Sequence, residues 1–121
     1  MTALRILLVE DEIMIGTLLA EVLVEMGHDI CGIEATEADA VASAARCGPD
    51  LMIVDVWLDE GNGISAVAEI LLAGPMPHFF VSGDIARARA LKPDVVVMQK
   101  PFRELDLALA IDRAFDTSAL N

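Results

Sequence analysis

Apolar residues fall into short unbroken runs that alternate with longer stretches in which they recur every three or four positions. Leu4-Arg5-Ile6-Leu7-Leu8-Val9, Leu51-Met52-Ile53-Val54-Asp55 and His78-Phe79-Phe80-Val81 are runs of the first kind. They are too short and too continuous for amphipathic helices and read as strands buried on both faces. Residues 29–35 are a weaker second strand candidate, and residues 94–99 read as a fifth strand. Between the first two strands, Ile15, Leu18, Leu19, Val22 and Met26 recur at helical spacing, Met14 and Leu23 widen the stripe, Glu21 and Glu25 lie opposite, and Gly27 ends the helix. Thr36 is the expected N-cap of an alanine-rich helix through Arg46, with Glu37 and Asp39 favourably placed in its first turn. Further helices are predicted over 63–73, 85–91 and 103–115, with residues 117–121 as a frayed tail. In the last helix Leu105 and Leu109 read as core, while Leu107, Ala110 and Ala114 form a second stripe open to an output partner or to a second copy. Five strands alternating with five helices specify an α/β doubly wound parallel sheet in a single domain over 1–121, with an ordered core of about 3–116.

Composition narrows the function classes. A 55% hydrophobic fraction with only 4% aromatics describes an aliphatic core. No apolar run approaches the roughly 20 residues of a membrane span, and no signal-peptide order opens the chain, so a cytoplasmic location is expected. With 20 acids against eight Lys and Arg, the net charge of −12 repels nucleic acid. Cys31 and Cys47 have no Cys-x-x-Cys spacing and are expected to be reduced thiols. His28 and His78 are isolated, which favours structural or solvated roles over ligation.

The chemistry lies where the predicted strands end. Glu10-Asp11, Asp55, Ser82 and Lys100 follow four of them, and parallel strands deliver all four ends to one edge, where open α/β sheets bind ligands. Carboxylates crowded there repel; two unit charges about 4 Å apart do so by roughly 4 kcal/mol at an effective dielectric of 20. A hard divalent cation such as Mg²⁺ offsets this with oxygen ligands and leaves positions for phosphate oxygens. Lys100 can pair with Asp55 at rest, and the Ser82 hydroxyl can donate to a phosphate. A carboxylate nucleophile, a cation site and polar groups around it are what phosphoryl transfer needs. Asp55 is the expected phosphoacceptor.

These motifs carry a resemblance. Leu7-Leu8-Val9-Glu10-Asp11-Glu12, Leu51-Met52-Ile53-Val54-Asp55 followed by Gly63, Phe80-Val81-Ser82-Gly83 and Lys100-Pro101-Phe102 together resemble the receiver domain of a two-component response regulator, of the stand-alone type. The resemblance implies a flavodoxin-like sheet in order 2-1-3-4-5 and phosphorylation of Asp55 by a histidine kinase or histidine phosphotransfer protein. It implies Mg²⁺ held by Asp11, Asp55 and the backbone carbonyl of Trp57, with Glu10 acting through water, and contacts from Ser82 and Lys100 to the phosphoryl group. It also implies a cis Lys100-Pro101 bond. Such a protein is no enzyme beyond its own phosphotransfer and autodephosphorylation.

Two departures from the family pattern stand out. Val97 occupies the position where receivers usually carry Tyr or Phe, which points to Ser82 and its loop as the switch. Asp59 replaces a common proline and, with two glycines beside it, suggests that residues 59–63 move more freely. Met14 and Leu18 of the first helix, with Pro101 and Phe102, are the expected docking surface for the kinase or phosphotransfer helix. Two other readings compete: a phosphorylation-independent interaction module or a fragment of a larger regulator, and a small phosphatase or nucleotide enzyme. Neither a Gly-x-Gly-x-x-Gly nor a P-loop is present, and Asp55-Val56-Trp57 offers no second Asp two residues on.

Overall fold

Parallel strands need crossovers, and each helix of this chain supplies one. The computed structural model describes residues 3–120, with side chains through Asp116. Its elements are β1 (Arg5–Val9), α1 (Ile13–Glu25), β2 (Asp29–Glu34), α2 (Glu37–Cys47), β3 (Leu51–Asp55), α3 (Gly63–Leu71), β4 (His78–Ser82), α4 (Ile85–Leu91), β5 (Val97–Gln99) and α5 (Glu104–Leu120). The sheet is parallel throughout in order β2-β1-β3-β4-β5, the doubly wound, flavodoxin-like arrangement expected.

Alternation along the central strands divides the core in two. Leu7, Val9, Met52, Val54 and Phe80 face Ala40 and Ala44 of α2, Ala66 and Val67 of α3, and Ala88 of α4. Ile6, Leu8, Leu51, Ile53, Phe79 and Val81 face Leu19 and Leu23 of α1 and Leu107, Ile111 and Ala114 of α5. Each large aliphatic fully buried in these layers contributes roughly 1.5–3 kcal/mol. β3 is buried along its whole length, Asp55 included, so the ladder holds that carboxylate where it stands. Among the described residues no helix is long and apolar enough to cross a membrane.

Several expectations are corrected. On α5 the two faces are exchanged: Leu107 is fully buried and Ala114 nearly so, Ala110 is partly buried against the same core, and Leu105 and Leu109 are exposed. Helix α5 also runs on to Leu120 in place of the tail predicted from Thr117; Asn121 lies outside the described residues. On α1 the buried positions are Gly16, Leu19 and Leu23, so Ile15 and Val22 of the predicted stripe are not in the buried set, while Leu18, expected as a docking residue, is 59% exposed. Strand β5 is confined to Val97–Gln99. Cys31 and Cys47, expected as thiols, form a disulfide. They lie on β2 and at the end of α2, consecutive elements that pack together, and their Cα atoms are 6.3 Å apart; short-spacing motifs do not register such tertiary proximity.

Candidate functional site

The carboxyl ends of β1, β3, β4 and β5 bring Glu10, Asp55, Ser82 and Lys100 to one edge. Backbone bonds fix their relation: Glu10 N–H donates to the Glu34 carbonyl (2.8 Å), Val56 N–H to Val81 (3.1 Å) and Lys100 N–H to Ser82 (2.9 Å). Carboxylate oxygens of Glu10, Asp11 and Asp55 lie within 4.8 Å of one another. The Lys100 ammonium bridges two of them, donating to Glu10 Oε1 at 2.6 Å and to Asp55 Oδ2 at 2.7 Å. The Lys100-Pro101 bond is cis, as the resemblance implied.

Burial and charge set the protonation of this cluster. Glu10 is pushed up to about 7, first because burial disfavours its charge; the bond from Lys100 pulls it down and the neighbouring charge of Asp55 pushes it up again. Burial also works against the Lys100 ammonium, but its bonds to Asp55 and Glu10 outweigh that, and the lysine is held above its ordinary value. Asp59, fully exposed, is raised chiefly by the charge of Asp11. It is a further acid at the rim that strand-end reasoning did not place there. The Asp55 side chain keeps 9% of its exposure, so the carboxylate is deep in the cluster and still open to solvent.

Loop geometry completes the edge. Gly63 N–H donates to the Val56 carbonyl (2.9 Å), and any Cβ at Gly63 would collide with the Asp55 carbonyl oxygen; only glycine permits this approach. The 59–63 segment is hydrogen-bonded to the start of α2. Glu37 N–H donates to the Glu60 carbonyl (3.2 Å), and Asn62 N–H donates to Glu37 Oε1 (3.1 Å). Trp57 N–H donates to Asp55 Oδ1 (3.2 Å). Ser82 is fully buried; its Oγ accepts from Asp84 N–H (3.0 Å) and donates to the Asp84 carbonyl (3.2 Å). Val97 packs half-buried against the core.

The expected docking residues meet only in part. Leu18, Pro101 and Phe102 line one groove of about 570 Å³ between α1 and the β5–α5 turn, together with Ile15 and Val22. Met14 is 77% exposed on α1 but is not among the residues lining the groove.

A doubly wound sheet whose central strand ends in a lysine-paired carboxylate defines an α/β domain with an acidic site at the carboxyl edge of its sheet. The response regulator receiver domain family model matches residues 6–112, and the chain belongs to that family. It is 34% identical over 114 residues to the transcriptional regulatory protein PdtaR of Mycobacterium tuberculosis, covering 91% of this chain and 56% of that one. Against the phyllosphere-induced regulator PhyR of Methylorubrum extorquens it is 28% identical, covering 93% and 43%. The chain thus spans about half the length of these curated relatives. Among solved structures, the receiver domain of PhyR from Erythrobacter litoralis superposes with a TM-score of 0.84 at 31% identity, covering 94% of this chain and 91% of that one.

Proposed function

We propose that this receiver is a phosphoacceptor of a two-component phosphorelay in the cytoplasm, taking a phosphoryl group on Asp55 from the phosphohistidine of a histidine kinase or histidine phosphotransfer protein. The observation that carries the reading is the Lys100 ammonium bridging Glu10 and Asp55 beside Asp11. That arrangement stabilises a carboxylate nucleophile and places a mobile cation where phosphoryl oxygens would arrive. In the transfer, the donor's P–N bond breaks as an O–P bond forms to the Asp55 carboxylate, and the departing imidazole takes a proton from solvent.

The donor set fits Mg²⁺. Three carboxylates converge within 4.8 Å, all hard oxygen ligands, with the Lys100 ammonium paired to two of them. Asp11, Asp55 and the Trp57 carbonyl would hold the ion, with Glu10 reaching it through water. When bound, Mg²⁺ neutralises the non-bridging phosphoryl oxygens. Lys100 then has a phosphoryl oxygen to pair with in place of Asp55, and the Ser82 hydroxyl a charged acceptor. The groove lined by Leu18, Pro101 and Phe102 would seat the donor's helix, with exposed Met14 at its margin. Output passes to a protein partner, and the exposed Leu105 and Leu109 of α5 are where a partner or a second copy would pack.

Incubation with acetyl phosphate and Mg²⁺, followed by intact-mass measurement, tests the proposal. The native chain is expected to gain one phosphoryl group and Asp55→Asn none. Labelling retained in Asp55→Asn would move the acceptor to another residue. Absence of labelling together with absence of Mg²⁺ affinity would leave an interaction module that works without phosphorylation.

A further inference from the structure

The phosphoacceptor chemistry makes no use of the chain's single tryptophan side chain, yet that ring is held in an unusual way. The Arg87 guanidinium lies 4.1 Å from the centroid of the Trp57 ring. In a chain with 20 acids and eight Lys and Arg, this cation is set on an aromatic face, and among the described residues it joins no ion pair. The Trp57 Nε1 is buried with no protein acceptor in reach among the described residues. The ring is therefore placed by packing and by the stack, not by its N–H.

Both partners of the stack are tied to the site. Trp57 N–H donates to Asp55 Oδ1 (3.2 Å). Arg87 N–H donates to Asp84 Oδ1 (2.9 Å), capping α4, and Asp84 N–H donates to Ser82 Oγ (3.0 Å). The contacts form a chain running from Asp55 through Trp57, Arg87 and Asp84 to Ser82. Trp57 also packs on the same core layer as Val97 and Ala88, so it supplies aromatic bulk beside α4 where β5 has none.

We propose that Arg87, acting through Trp57, is a positioning residue that latches the loop after β4 in its resting place and is released when Asp55 is phosphorylated. The inference rests on the phosphoacceptor reading. The Ser82 hydroxyl has one proton, given at rest to the Asp84 carbonyl oxygen (3.2 Å). A phosphoryl oxygen on Asp55 is a charged and stronger acceptor. When the hydroxyl turns to it, the Asp84 carbonyl loses its donor. Asp84 caps the first turn of α4, so that turn shifts and carries Arg87 off the indole. An interaction present only at rest lowers the affinity for any ligand that selects the activated state.

The test uses the full chain, Mg²⁺ and beryllofluoride as a phosphoryl mimic, with fluorine NMR reporting bound fluoride and Trp57 emission reporting the stack. The native protein is expected to bind beryllofluoride and change its emission. Arg87→Gln starts near the activated emission, changes little further, and binds beryllofluoride about threefold tighter, the worth of an exposed cation–π contact. Arg87→Lys, with a cation but no planar stack, falls between the two. If Arg87→Gln and Arg87→Lys both keep the native emission change and the native affinity, the latch is overturned while the phosphoacceptor reading stands. A native chain that binds no beryllofluoride overturns both.

Discussion

Glu10 is the residue through which pH acts on this site. Its folded value of about 7 lies above the ordinary 4.5, so between those values the native state holds a proton that the unfolded chain has released. Stability therefore falls as pH rises through that window, by about 3 kcal/mol at most, and the loss is complete above about pH 7. Denaturant titrations without divalent cations should show the native chain less stable at pH 8 than at pH 5.5 relative to Glu10→Gln, which lacks the titration. A parallel pH dependence in the two proteins would contradict the assignment. The proton also competes with a cation at the cluster, so Mg²⁺ affinity should climb as pH approaches 7 and level off above it. Sequence placed Glu10 at the site because β1 ends there. Asp59 was not legible in the same way, because a loop residue's neighbours depend on how the loop folds back, here along a path tethered to Glu37; Arg87 on α4 was not legible because its partner Trp57 lies in the loop after a different strand.

At the scale of elements, α5 shows where periodicity decides and where it does not. Leu105, Leu107, Leu109 and Ile111 alternate, so one four-residue series picks Leu105 and Leu109 and another picks Leu107, Ile111 and Ala114. Both fit a helix; only the position of β4 beneath it selects the second. Leu107→Ala should therefore cost about 3 kcal/mol by leaving a cavity, while Leu105→Ala and Leu109→Ala should each change stability by less than about 0.5 kcal/mol. Equal losses by chemical denaturation would mean that the helix faces had been assigned wrongly. The strands were readable with less ambiguity because runs such as Leu51-Met52-Ile53-Val54 are buried on both faces, and a continuous run has no face to mistake. That same regularity made the site readable: parallel strands leave their carboxyl ends no other place than one edge. The Cys31–Cys47 bond was beyond such reasoning, since it depends on the distance between β2 and α2 rather than on any repeat.

For the whole molecule, the balance of charge couples folding to cation binding. The net charge of −12 gives a general self-repulsion that any salt relieves by screening, with a Debye length of about 10 Å at 0.1 M. The cluster of Glu10, Asp11 and Asp55 adds a local repulsion that Lys100, paired to Glu10 and Asp55, offsets. Screening and site binding differ in form: screening grows gradually with ionic strength, whereas a site saturates. At constant ionic strength, Mg²⁺ at a hundred times its dissociation constant should stabilise the native state by about 2.7 kcal/mol, raising the Tm of a domain this size by about 10 °C. Asp11→Asn should lose most of that rise and retain the gradual response to monovalent salt. If Mg²⁺ and a monovalent salt of matched ionic strength raise the Tm of the native chain equally, the acids act as surface charge and hold no ion, since only a site that binds the folded state can separate the two curves.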